Sequence, residues 1–264
     1  MSSPSPGIAD VAERLRQAGC VFAEDEARVL IASAGSPAEL ETSIERRAAG
    51  VPIEQVVGWA AFCGLRIAVD PGVFVPRRRT ELLVREAIAL ATPGAIVVDL
   101  CCGSGAVGAA LLAACEGLEL HLVDIDPRAV VCARRNVAGG GRVYEGDLFE
   151  PLPATLRGQV DLVVANAPYV PSGELGFLPP EARLHEPRVA LDGGEDGLEI
   201  QRRLIAETPG WLAPRGRLLV ETSERQAPRS VDAFVDSGLD PVVRRSEELS
   251  ATVVIGRAAS ATPG

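Results

Sequence analysis

At 264 residues, 47% apolar and 23% charged, the chain has globular composition with room for a domain of about 190 residues beside a smaller one. No apolar run reaches the roughly 20 residues that span a bilayer, so no membrane segment is expected. A net charge of −10 argues against stable nucleic-acid binding, which needs clustered cations, although Arg77-Arg78-Arg79 could line a local basic groove or a solvated loop.

The opening Met-Ser-Ser-Pro-Ser-Pro lacks the basic region and apolar core of a secretory signal and reads as a disordered tip. Ile8, Val11, Ala12 and Leu15, then Ala27, Leu30, Ile31 and Ala34, recur at the 3.6-residue helical period. Ser36-Pro37 has the form of an N-cap with proline at the first helical position, opening a third helix that Gly50 closes. Residues 1–66 are therefore predicted to form a small helical domain of three short helices. From Phe62 to Val75 the pattern turns extended, with Asp70-Pro71-Gly72 as the turn of a hairpin, and residues 67–78 are assigned to that linker.

Over 79–257, apolar runs of strand length at 96–100, 118–123, 160–165 and 218–221 alternate with helical segments near 106–115, 127–137 and 196–212. That alternation predicts an α/β fold: a mostly parallel sheet with helices on both faces. Residues 241–243 and 252–255 lie too close for a crossover helix, so the last strand is expected to be antiparallel. Residues 258–264 read as a disordered tail. Six cysteines without C-x-x-C or zinc spacing favour a reduced, cytoplasmic chain with no metal.

Asp99-Leu-Cys-Cys-Gly103-Ser-Gly105-Ala-Val-Gly108 follows the first strand of that sheet and opens a helix, where open α/β sheets bind nucleotides. Read as G-x-G-x-x-G, it fits a dinucleotide site with Asp124 holding a ribose. Asp99, four residues before the first glycine, would repel a pyrophosphate and attract an ammonium, as S-adenosylmethionine carries. On that reading Asp99 meets the methionine end, Gly103 and Gly105 lie under the middle, Asp124 holds the ribose hydroxyls, and Asp147 with Leu148 sits at the adenine edge. Asp126, before Pro127, is a helix N-cap.

The fourth strand of the alternation is followed by Asn166-Ala167-Pro168-Tyr169. An asparagine before a rigid X-Pro turn and an aromatic ring suits a planar NH2 group. An amide nitrogen is a poor nucleophile, its lone pair being delocalised into the carbonyl. If the Asn166 side-chain oxygen and the Ala167 carbonyl each accept one N–H, the nitrogen is held with a face toward a sulfonium methyl. Positioning then supplies most of the help, and Tyr169 can stack on the amide and favour the cationic donor. Asn166 thus borders the cofactor as well as the acceptor. His185 beside Glu186 and the two tryptophans, Trp59 and Trp211, read as structural residues.

These motifs resemble the HemK/PrmC family of protein N5-glutamine methyltransferases. Val75-Pro76-Arg77-Arg78-Arg79-Thr80-Glu81 is similar to the family's I-P-R-P-x-T-E segment. Glu186-Pro187-Arg188-Val189-Ala190-Leu191 with Gly193-Gly194-Glu195-Asp196-Gly197-Leu198 is similar to its E-P-x-x-A-L and G-G-x-D-G-L segments, and Pro52-Ile53-Glu54-Gln55 through Gly58 and Phe62 to its interdomain hinge. The resemblance implies a Rossmann-like S-adenosylmethionine-dependent methyltransferase that modifies a glutamine of a peptide-chain release factor and leaves S-adenosylhomocysteine. Asp99, Gly103, Gly105, Asp124 and Asp147 would then bind the cofactor and Asn166 to Tyr169 the glutamine. Pro76, Arg77, Thr80 and Glu81 would form a substrate contact or lid, and the helical domain would engage the protein substrate. Ala167 and Arg78 depart from the family's prolines, which suggests a paralogue group. Three alternatives stay open: an exocyclic amine of a nucleic-acid base as acceptor, a small metabolite's nitrogen, or a cofactor-binding module without catalysis.

Overall fold

The computed structural model describes residues 7–258. The expected disordered tip, and the tail beyond residue 258, lie outside the described residues.

The first helices are α1 (Ile8–Gln17), α2 (Ala23–Ser33) and α3 (Pro37–Ala48). Ser36 caps α3, its hydroxyl accepting the Glu39 N–H at 3.2 Å, which satisfies one of the first-turn donors that have no partner within the helix. Val11, Leu15, Ala27, Leu30 and Ile44 are fully buried together, as the periodicity requires, whereas Ile8 is exposed. A fourth helix, α4 (Ile53–Val57), follows; five residues are too few to leave a periodic signal. No helix of the described residues is long and apolar enough to cross a membrane.

The hairpin lies earlier than expected. Its strands are β1 (Trp59–Phe62) and β2 (Leu65–Ala68), and its turn is Cys63-Gly64, with φ of 48° and 76°. Two successive left-handed residues give the turn twist that matches paired strands. Asp70-Pro71-Gly72 does make a turn, closed by the Val73 N–H on the Asp70 carbonyl, but it leads from β2 into an irregular strap at 73–80.

Beyond the strap run α5 (Glu81–Leu90), β3 (Ile96–Leu100), α6 (Ala106–Ala114), β4 (Glu119–Asp124), α7 (Pro127–Asn136), β5 (Gly141–Glu145) and β6 (Val160–Ala165). They are followed by α8 (Pro180–His185), α9 (Glu199–Glu207), β7 (Leu212–Thr222), α10 (Ala227–Asp236), β8 (Leu239–Ser246) and β9 (Ala251–Ala258). The seven-stranded sheet has the order β5-β4-β3-β6-β7-β9-β8, with β9 antiparallel to both neighbours. One apolar cluster, with Leu83, Val97, Leu111 and Leu120, fills one face, and another, with Val98, Leu100, Phe149 and Phe234, fills the other. The chain steps outward from β3 to β5 and returns to β6 on the other side of β3. Ligands gather outside the carboxyl ends of strands at such a reversal.

Candidate active site

The carboxyl ends of β3, β4 and β6 and the segment after β5 converge on a cavity of about 730 Å3, lined by Gly103, Asp124, Asp147 and Leu148 on one side and by Asn166 to Tyr169 on the other. Asp124 ends β4 and is held from both sides: Oδ2 accepts the Gly103 N–H at 2.8 Å and Oδ1 the Asp126 N–H at 2.9 Å. Burial pushes its carboxyl up from the ordinary range. Asp147 pairs with Arg203 of α9 at 2.7 Å. Cys101 and Leu148 line the same cavity with φ of 55° and 48°. Branched or bulky residues rarely adopt that conformation, and strain of this kind concentrates at functional sites.

Asp99, expected to meet an ammonium, is not among the residues that line the cavity. It is 2% exposed, and its Oδ2 accepts the Gly108 N–H at 3.0 Å, so it braces the glycine turn from behind. Gly105, at the start of α6, also lies off the lining. Burial pushes the Asp99 carboxyl up to about 8, the Gly108 N–H offsetting only part of the shift. The folded protein therefore holds this proton from the unfolded carboxyl value of about 4 up to about 8. Because the folded state binds the extra proton across that window, Asp99 makes stability fall as pH rises through it. Urea unfolding of the ligand-free protein over this range should show that fall, and Asp99→Asn should flatten it.

In the second motif, Asn166 Nδ2 donates to Thr80 Oγ1 at 3.2 Å, which leaves Oδ1 as an acceptor for the cavity. No backbone N–H of the described residues donates to the Ala167 carbonyl. The Tyr169 carbonyl accepts from Gln226 Nε2 at 2.9 Å, and burial pushes the Tyr169 phenol up to about 12. The ring already carries the Arg79 guanidinium 5.8 Å from its centroid, so one face expected to serve the methyl donor is occupied by a protein cation.

Of the strap residues, Arg77 lines the cavity and binds Glu186 at 2.6 Å, while Glu186 also accepts the Val75 N–H. Thr80 reaches the site through Asn166. Pro76 and Glu81 are off the lining, and Glu81 faces the hairpin, accepting the Cys63 N–H. The E-P-x-x-A-L and G-G-x-D-G-L segments run beside the second motif: Val170 N–H donates to the Leu191 carbonyl and Gly193 N–H to the Val170 carbonyl. A Cβ on Gly197, whose φ is 78°, would stand 2.4 Å from the Tyr169 carbonyl oxygen. Gly197→Ala should therefore cost about 1–3 kcal/mol. A thermal scan should register about 2–4 °C for each kcal/mol lost, and methyl transfer should weaken as Tyr169 shifts.

The helices before the hairpin close over this region. Arg47, 5% exposed, pairs with Glu26 of α2 at 2.7 Å and Glu181 of α8 at 2.6 Å. Gln55 donates to the carbonyls of Val73 and His185, which explains the Pro-Ile-Glu-Gln segment as a tie between bundle and strap. Gln226 and Arg203 bear on the site although nothing in their local sequence marks them. Glu221 also does so, and an acid ending the apolar run Leu218-Leu219-Val220 was a visible signal.

Residues 64–176 match the family model of the methyltransferase small domain. A release factor glutamine methyltransferase of Geobacter sulfurreducens is 40% identical over 198 residues, covering 74% of this chain and 69% of the relative. A 4-amino-L-phenylalanine/4-methylamino-L-phenylalanine methyltransferase of Streptomyces pristinaespiralis is 39% identical over 191 residues, 69% of this chain and 65% of the relative. Among solved structures, a methyltransferase from Pyrococcus furiosus aligns with a TM-score of 0.56 at 15% identity, covering 74% of this chain and 89% of that one.

Proposed function

Since the chain belongs to the release factor glutamine methyltransferase family, we propose that it methylates the side-chain amide nitrogen of a glutamine in a peptide-chain release factor, using S-adenosylmethionine. The cavity suits that cofactor. It offers two carboxylates, Asp124 and Asp147, for ribose hydroxyls and the adenine edge, apolar surface from Leu148 and Ile125, and the backbone of Gly103 beneath. When bound, the cofactor supplies an electrophilic methyl on a sulfonium, with a good leaving group.

The chain's own residues would do the rest by orientation. Asn166 Oδ1 and the Ala167 carbonyl accept the two N–H bonds of the acceptor amide. This fixes the plane of the nitrogen and turns one face toward the methyl. No strong base is required, and the proton leaves to water after transfer. The observation that carries this reading is the Asn166 Nδ2 bond to Thr80: with its NH2 engaged there, the side chain offers the cavity an acceptor, as an NH2 substrate needs. Alanine at 167 keeps the main-chain carbonyl, so the grip survives the departure from the family's proline. The helices before the hairpin, tied to the strap by Gln55, would receive the protein substrate, in the cytoplasm.

A second reading, a free aromatic amine as acceptor, is favoured by the Streptomyces pristinaespiralis relative. Parallel incubations with a purified release factor, with 4-amino-L-phenylalanine and with RNA, each with labelled S-adenosylmethionine, separate the readings. Label is expected in the release factor; incorporation into the amino acid or the RNA alone would replace the proposal.

A further inference from the structure

Gln226, just before α10, is 5% exposed, and both ends of its carboxamide are engaged. Nε2 donates to the Tyr169 carbonyl at 2.9 Å and to the Asp196 carbonyl at 3.3 Å, while Oε1 accepts the Ser223 hydroxyl at 2.5 Å. The Ser223 oxygen in turn accepts the Gln226 main-chain N–H at 3.2 Å. Ser223 thereby sets which end of the carboxamide faces the loop. Turned over, the side chain would put its oxygen against two carbonyls that can only accept. A buried polar network with its members satisfied makes a rigid support.

What it supports is the loop after β6. Ala165 is held in the sheet, in register with Leu100 on β3 and Val220 on β7. From Ala167 to Tyr169 the main chain then makes a single hydrogen bond among the described residues, the one from Gln226. The Ala167 N–H donates to none of them, and Pro168 has no N–H to give. The next anchor is Val170, tied to Leu191 and Gly193. Packing is close on the same side: a Cβ on Gly193 would stand 2.7 Å from the Pro168 carbonyl oxygen, and one on Gly197 2.6 Å from Gln226 Nε2. By bridging the carbonyls of Tyr169 and Asp196, Gln226 clamps the second motif to the G-G-x-D-G-L segment. Ala167, whose φ no ring restricts, depends on that clamp for the place of its carbonyl.

We propose that Gln226 is a positioning residue for methyl transfer: holding the Tyr169 carbonyl, it fixes where the Ala167 carbonyl stands before the acceptor nitrogen. The proposal rests on the amide grip described above. One of the two acceptors of that grip is main chain, which no side-chain rotamer can place, so the loop itself has to be stiff. Gln226 is not among the residues that line the cavity. Its loss should therefore appear in the chemical step and not in binding.

The test uses the full chain with Gln226→Leu, Ser223→Ala, Ala167→Pro and the double variant Ala167→Pro/Gln226→Leu. Steady-state kinetics on a release factor, calorimetry of S-adenosylmethionine binding, thermal scans and the main-chain Ala167 signal in 1H–15N spectra are read together. Gln226→Leu should lower kcat about 10- to 100-fold, the scale of a misplacement near 1 Å at a reacting centre, with KM and cofactor affinity little changed. The Ala167 signal should shift or broaden in that variant. Ser223→Ala, which frees the carboxamide to turn, should show the same pattern at smaller size. Ala167→Pro removes no hydrogen bond seen here and stiffens the same loop, so in its presence the Gln226→Leu loss should shrink about threefold or more. A merely structural role would lower Tm and leave the kcat of folded protein, and its coupling to position 167, unmoved. Wild-type kcat in Gln226→Leu, a loss confined to Tm or KM, or a loss undiminished in the double variant overturns the proposal. If Gln226→Leu does not fold, Ser223→Ala decides by kcat and the Ala167 signal; if Ala167→Pro does not fold, those two readouts on Gln226→Leu decide. If the wild-type chain transfers no methyl to the release factor, the functional reading fails by itself. The Ala167 signal in Gln226→Leu still decides this one: moved, it upholds the clamp, and unmoved, it overturns it.

Discussion

Asn166→Ala should lower methyl transfer by about 100-fold or more, the scale seen when one preorganised hydrogen-bonding group is removed from a reacting centre, while S-adenosylmethionine still binds. Asn166 lines the cavity, its NH2 is held by Thr80, and Oδ1 is left to accept. Alanine removes that acceptor, and the Ala167 carbonyl alone cannot fix the plane of an amide nitrogen. Because the loss falls on orientation in the transition state, kcat should drop with little change in cofactor affinity. Single-turnover transfer beside calorimetry separates the two, and unchanged transfer would sink the amide-grip mechanism.

Asp124→Ala should have the opposite signature, with cofactor affinity falling by about two orders of magnitude or more. Two charge-assisted hydrogen bonds to ribose hydroxyls are worth about 1.5–3 kcal/mol each at most. In addition, the Gly103 and Asp126 N–H groups lose the acceptor that sets the turn. Calorimetry with S-adenosylmethionine measures the effect directly. An affinity within a factor of two of wild type would mean that Asp124 serves the turn alone and that the ribose lies elsewhere.

How far the sequence could be read depended on whether a feature was local. Strands β3 and β6 fall on the predicted residues 96–100 and 160–165 because each is a short buried apolar run bounded by turn residues. Ser36 and Asp126 were legible as caps because capping is a matter of a few neighbouring residues, and both side chains accept the expected N–H. The hairpin was misplaced because the Asp-Pro-Gly signal at 70–72 is stronger in composition than Cys63-Gly64, although the second pair is what the paired strands use. Strand β7 extends back to Leu212 through residues with no alternating pattern.

The candidate site divides in the same way. Gly103, Asp124, Asp147, Leu148 and Asn166 to Tyr169 share one cavity because each sits at or just beyond a strand's carboxyl end, a placement that strand order alone predicts. Asp99 has the charge the reading asked for, but it is 2% exposed and one of its oxygens is taken by the Gly108 N–H; how deep a strand residue lies cannot be read from spacing. Glu221, Gln226 and Arg203 act from elements 50 or more residues away in sequence from the groups they touch, and no local pattern encodes such contacts.

The most direct measurement is transfer of labelled methyl from S-adenosylmethionine to a purified release factor, followed by peptide mapping of the product. A single methyl on the side-chain amide of one glutamine is the expected result. A methyl on any other residue type, or no incorporation by protein that binds the cofactor, would contradict it.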